Sequence, residues 1–152
     1  MDYDIEVRDL EPQPMVAIRQ ETTAKGLGAA FRELIPVVWG YLEKHGVQPS
    51  GPSFGIFHAY EPDHVDVQAG FPVADPVEGE GRVEAGELPG GRAAVAWHIG
   101  PYDTIGNAHD ALDAFVHERG EHGGSPREVY WTGPGDDPDA SKWRTEVVYP
   151  LS

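Results

Sequence analysis

The sequence contains no cysteine, so neither a disulfide framework nor a thiolate metal site is open to it. Basic residues are scarce. Against 26 Asp and Glu stand only 11 Lys and Arg, a formal net charge of −15. Nucleic-acid affinity comes largely from Lys and Arg neutralising phosphates, and here those side chains are scattered along the chain rather than gathered. No nucleic-acid partner is expected, and an anionic membrane surface is disfavoured for the same reason. Long apolar runs are missing too, none approaching the ~20 residues of a spanning helix. The acidic start MDYDIEVRDLEP has neither the basic nor the apolar part of a secretory signal. These features lead us to expect a cytoplasmic protein that does not associate with membranes. The 152 residues amount to a single domain, 1–152, long enough to bury roughly two-thirds of its unfolded surface without a staple.

Hydrophobic spacing and turn residues divide the chain into two similar halves. Residues 5–10 and 14–22 read as strands around the Pro12/Pro14 turn, and Leu27, Phe31, Leu34, Val38 and Leu42 then recur at helical spacing. Thr22 or Thr23 suits the start of that helix and Gly46 its end, while Pro36 should kink it or shift its boundary. Two short strands, Phe54 to Tyr60 and Val65 to Phe71, follow around Glu61-Pro62-Asp63. The second half repeats the order. A strand pair around Leu88-Pro89-Gly90-Gly91 leads into Ala93 to Ile99. Asp103 caps a helix carrying Ile105, Ala108, Leu112, Phe115 and Val116 that stops at Gly120, and strands Glu128 to Thr132 and Trp143 to Tyr149 close the unit. Phe71-Pro72 and Tyr149-Pro150 end the halves in equivalent places. The fold class expected is α+β. Two duplicated β-α-β-β units, about 1–75 and 80–152, form one antiparallel sheet with two helices on one face and a ligand cleft at the pseudo-two-fold seam.

Few motifs carry chemistry of their own. Gly51-Pro52-Ser53-Phe54-Gly55 matches the G-x-S-x-G elbow of serine hydrolases, but a helix precedes it and a strand follows, the reverse of what the elbow needs. The seven histidines show no metal-ligand spacing: His117 and His122 straddle a helix end, and His58 and His98 sit on separate strands. Hydrogen-bonded or surface histidines are the reading adopted, with no metal. No Gly-rich phosphate loop joins a strand to a helix, so no nucleotide or other cofactor is expected. The segment Arg127-Glu128-Val129-Tyr130-Trp131 is more informative. In a strand Glu128 and Tyr130 share one face and Val129 and Trp131 the other. If Val129 and Trp131 pack on the helices, a carboxylate and a phenol face the cleft, where a cation or a hydrogen-bond donor must meet the charge. Alternatively Glu128 pairs with Arg127, Arg144 or Arg92. Of the 15 aromatic residues many lie on strands or strand ends, among them Tyr60, Phe71, Trp97, Tyr130, Trp143 and Tyr149, with Tyr102 just before the second helix. Phe31 and Phe115 are expected in the core, and Trp39, off its helix stripe, suits core flank or pocket wall.

The duplicated order, His98-Ile99-Gly100-Pro101-Tyr102 before the second helix, Pro126-Arg127-Glu128-Val129-Tyr130, and the closing Thr145 to Leu151 together resemble the GyrI-like effector-binding family. That is the ligand-sensing fold of multidrug-responsive bacterial transcription regulators such as BmrR. The resemblance implies a polyspecific pocket for lipophilic, often cationic aromatic molecules, used to sequester or sense drugs and xenobiotics. Glu128 matches the family's buried acidic residue. Trp97, Tyr102 and Tyr130 match pocket-wall positions, with Tyr60 and Trp143 matching less closely, and Trp39 and Phe71 complete the expected ligand-binding set. No helix-turn-helix module flanks the domain, so a stand-alone binding protein is expected. The resemblance also implies two alternatives. One is a hydrolase of cyclopropane-bearing alkylators using the same aromatic cage, with Glu128 as its catalytic residue. The other is a gyrase-inhibitor-like module whose partner is DNA gyrase. The related SOUL haem fold would need an axial histidine, and none stands out.

Overall fold

Helix stripes and alternating strands fold as their spacing dictates. The computed structural model describes residues 3–121 and 123–151, which form an α+β fold of two helices and eight antiparallel strands. The elements are β1 (Glu6–Leu10), β2 (Gln13–Thr22), α1 (Leu27–Lys44), β3 (Phe54–Glu61), β4 (His64–Pro72), β5 (Glu84–Leu88), β6 (Gly91–Ile99), α2 (Gly106–Arg119), β7 (Arg127–Thr132) and β8 (Arg144–Pro150). Single 3-10 turns stand at Tyr102–Thr104 and Ala140–Lys142.

The chain divides into two units, one of residues 11–90 and one of residues 1–10 with 91–152. This differs from the expected halves. In the first unit the strands are ordered β5-β2-β4-β3, and in the second β1-β6-β8-β7. β1 therefore pairs with β6 (Val7 opposite Ala94), and β5 pairs with β2 (Val16 opposite Ala85). The reason is that a strand has two edges. Those of β2 are taken by β4 and β5, and those of β6 by β1 and β8, so neither β1-β2 nor β5-β6 can close as a hairpin. The repeat survives in what remains, a β-α-β-β core with one added edge strand in each unit. Each unit also carries an irregularity on the strand after its helix, at His58 in β3 and Trp131 in β7.

Each helix packs its stripe on its own strands. Leu34, Val38, Tyr41 and Leu42 of α1 cluster with Val16, Ile18, Ala69 and Phe71. Ala108, Leu112 and Val116 of α2 cluster with Ala94, Ala96, Val147 and Tyr149. Leu34 and Leu112 are fully buried, and burial of such a side chain stabilises by roughly 1.5–3 kcal/mol. α1 runs through Pro36 without a break, so the proline shifts neither boundary. The Gly26 N–H, just ahead of α1, donates to Thr23 Oγ1 at 3.0 Å, and Asp103 provides no cap for α2, whose start is extended by the 3-10 turn. Gly120 ends α2 at φ 64°, a left-handed conformation that favours glycine.

Candidate ligand-binding site

Cross-strand register fixes which side chains share a face. Glu128 lies opposite Val147, and Tyr130 opposite Thr145. Val147 is in turn opposite Ala96, and Thr145 opposite His98. Directly opposed residues of an antiparallel pair project to the same side, and Ala96 and Val147 are covered by α2. Glu128 and Tyr130 thus lie on the helix-bearing face. Trp97, opposite Glu146, lies on the other face with Val129.

This corrects two expectations. Val129 and Trp131 do not pack on the helix, and Trp97 does not flank Glu128. Apolar character pointed Val129 and Trp131 inward. Trp131 instead remains 47% exposed, its ring 6.0 Å from that of Trp97 and its Nε1–H donating to Glu146 at 3.4 Å. The guanidinium of Arg144 covers Trp97 at 4.7 Å from the ring centroid. Arg144 is occupied there, and Arg92 pairs with Glu121, so neither serves Glu128.

Glu128 is buried, and its carboxylate is held from two sides. The Tyr130 hydroxyl donates to Oε1 at 2.8 Å, and Nε2 of His109, on α2, lies 2.6 Å from Oε2. The other ring nitrogen, Nδ1, is 2.8 Å from the Tyr149 hydroxyl. With the ring neutral and its proton on Nε2, Tyr149 O–H donates to Nδ1 and Nε2–H donates to the carboxylate, so every donor points towards Glu128. His109 was missed as a site residue in the sequence. It stands four residues after Ile105 and three before Leu112, on the buried stripe of α2. A polar residue on such a stripe needs a partner.

An aromatic group adjoins the carboxylate. The Tyr102 ring stands edge-on to Tyr130 at 5.8 Å and tilted against Trp143 at 5.0 Å. Backbone geometry holds Tyr102. Nε2–H of His98 donates to the Pro101 carbonyl at 2.9 Å, because a carbonyl can only accept, and Nδ1 is 3.0 Å from the Tyr3 hydroxyl. Gly100 reaches φ 134° and donates its N–H to the Trp143 carbonyl at 2.8 Å. The Trp143 indole N–H donates to the Asp137 carbonyl at 2.7 Å, which fixes that ring as well.

The phenols are locked in their neutral form. Burial, with the neighbouring Glu128 charge and its hydrogen bond, pushes Tyr130 well above the usual phenol range. Tyr102 is raised by burial, then by Glu128 and Asp136. Tyr149 is raised by burial, then by Asp113, Glu128 and Asp110. No phenolate therefore forms near neutral pH. The hydroxyl of Thr145, fully buried between His98 and Tyr130 in the register, has no hydrogen-bond partner among the described residues.

The remaining expected residues belong to the unit 11–90. Trp39, 43% exposed, tilts against Phe71 at 5.5 Å, and Phe71 is buried in the α1 cluster. Tyr60 is exposed at the end of β3, edge-on to Phe57 at 6.0 Å. Ser53 lies in the loop that enters β3, with no helix after it. His122 lies outside the described residues. Among the described residues no three His, Asp or Glu side chains are grouped to hold a metal, and no helix is long and apolar enough to cross a membrane.

A family model for the GyrI-like small molecule binding domain matches residues 3–152. The chain belongs to that family. Among solved structures, the C-terminal domain of EcmrR is similar at 24% identity and a TM-score of 0.89, over 100% of this chain and 99% of that one. EcmrR in its complex with DNA is 25% identical with a TM-score of 0.88, and this GyrI-like chain spans 57% of its length. SAV2435, solved bound to tetraphenylphosphonium, is similar at 14% identity and a TM-score of 0.68, covering 100% of this chain and 94% of that one. A hydrolase encoded by lin2189 of Listeria innocua is similar at 13% identity and a TM-score of 0.67, over 98% and 92% of the two chains. No curated protein sequence matches the chain.

Proposed function

We propose that this GyrI-like chain binds lipophilic, often cationic aromatic molecules at a site that includes Glu128, Tyr130, Tyr102 and Trp143. The observation that carries the proposal is a buried carboxylate, held by hydrogen bonds to Tyr130 and His109, beside two aromatic rings anchored through the backbone. The hydrogen bonds orient the carboxylate, and a cation gains from a carboxylate charge at short range in a partly desolvated setting. Each aromatic face adds about 0.5–2 kcal/mol to a cation resting on it. Rings and one point charge specify little geometry, which makes such a site polyspecific. The binding of tetraphenylphosphonium by the distant relative SAV2435 supports the same ligand class.

The test is a titration of wild type and Glu128→Gln with a matched pair, methyltriphenylphosphonium and neutral triphenylphosphine oxide. The substitution should weaken the cation by about 1–3 kcal/mol, the usual loss for a charge-assisted contact, and leave the neutral molecule nearly unchanged. Equal losses for both would make Glu128 structural.

A second reading is hydrolysis, favoured by the short contact between His109 and Glu128, which positions the carboxylate to orient or deprotonate water. Turnover decides between the two, read as a hydrated product by mass spectrometry on a cyclopropane-bearing alkylator.

A further inference from the structure

His109 stands where a cationic ligand would otherwise have Glu128 to itself. Its Nε2 is 2.6 Å from one carboxylate oxygen, while Tyr130 holds the other, and Tyr149 fixes the far side of the ring. An imidazole in this position has two states with opposite consequences. As a neutral donor it satisfies the oxygen and leaves the carboxylate charge for a ligand. As a cation it places a full positive charge against that carboxylate and cancels it. A Lys or Arg there would cancel the charge permanently, and an apolar residue would leave a buried oxygen without its donor. Histidine is the side chain whose charge ordinarily changes between pH 5 and 8.

We infer that His109 is a specificity-determining residue, a built-in competitor that sets whether the site takes cationic or neutral aromatic molecules by neutralising Glu128 when it is protonated. The inference rests on the proposed binding function. In the neutral state of His109 the site selects lipophilic cations. In its protonated state the site carries no net charge and takes neutral molecules of the same shape. A ligand cation and the imidazole proton then exclude one another, so binding of a cation expels a proton and binding of a neutral molecule does not.

The groups facing His109 are consistent with competition centred on Glu128. From β7 come Glu128 and, through it, Tyr130; from β8 comes Tyr149. The 3-10 turn after β6 brings Tyr102, which feels the Glu128 charge. On α2 itself Asp110 and Asp113 lie near enough to act on Tyr149. The three tyrosines are held neutral by burial, so their charge does not change between pH 5.5 and 8.

The experiment measures affinity for methyltriphenylphosphonium and triphenylphosphine oxide between pH 8 and 5.5, in wild type and His109→Gln. Gln places an N–H donor where Nε2 was but cannot become a cation. Wild type should bind the phosphonium more weakly as pH falls, by no more than about tenfold per pH unit, the limit for a one-proton linkage, and the oxide with little change. His109→Gln should flatten the phosphonium profile to within about twofold. A profile as steep in His109→Gln as in wild type, or a flat one in wild type, overturns the inference and leaves the cation-binding function standing. Absence of phosphonium binding at pH 8 overturns both. Should the variant fail to fold, calorimetry of the wild type in buffers of different ionisation enthalpy gives the answer alone. At the acid end the phosphonium should release protons and the oxide none, and equal release by both overturns the assignment.

Discussion

Gly133 and Tyr102 are fitted to each other: a Cβ at position 133 would stand 2.5 Å from the Tyr102 hydroxyl. The glycine is buried beyond the end of β7, its N–H donating to Asp136 Oδ2 at 3.0 Å, so its backbone is not free to retreat. Tyr102, at the end of a flexible side chain, must yield instead. Gly133→Ala should therefore push the Tyr102 ring out of its edge-on contact with Tyr130. We expect aromatic ligands to bind several-fold more weakly while the melting temperature changes little. Tyr102→Ala should lose as much, and the double variant little more, because both act on the same ring. Additive losses would show that Gly133 acts elsewhere.

Thr145 should be better replaced than kept. Its buried hydroxyl lacks a partner among the described residues, and a buried polar atom without a hydrogen bond costs roughly 1–3 kcal/mol. Valine has the same branched shape without the oxygen. Thr145→Val should raise stability by about 1 kcal/mol in urea unfolding, whereas a loss of similar size would mean that the hydroxyl is satisfied in solution.

Alkaline stability should depend on Tyr130. In the fold its phenol holds its proton far past the usual range, through burial and the adjoining Glu128 charge. An unfolded tyrosine gives its proton up near pH 10. Above that pH the unfolded state binds fewer protons than the folded one, so stability falls as pH rises. Tyr130→Phe removes this contribution. Its loss of stability between pH 9 and 11 should be shallower than that of wild type in parallel denaturant titrations. Slopes that coincide would count against a raised phenol.

The sequence carried the helices well, because Leu27 to Leu42 and Ile105 to Val116 obey a single period and each buries its stripe on its own strands. Pairing was less legible. Nothing in the local pattern of residues 5–10 or 84–88 distinguishes the neighbouring strand from a remote one, and the competition of β4 and β5 for the edges of β2 is visible only in three dimensions. Strand parity puts Glu128 and Tyr130 on one face, but parity alone does not say which face the helix covers. The apolar character of Trp131 favours the interior, whereas it sits at the register shift in β7 and packs on Trp97 on the other face. His109 was legible in principle, as an imidazole on an apolar stripe, but its partner lies 19 residues away and no local signal names it.

The assignment of β1 to the unit 91–152 gives the two units different histories. Residues 11–90 are continuous, so everything that unit needs has left the ribosome once its last strand has emerged. The other unit is made from two separate segments, 1–10 and 91–152, and Val7 must meet Ala94 across a loop of more than eighty residues. Synthesis thus releases the strand for one edge well before the carboxylate, its histidine and its aromatic neighbours. Throughout that interval β1 has no β6 to pair with, so the nascent chain carries an unpaired edge strand.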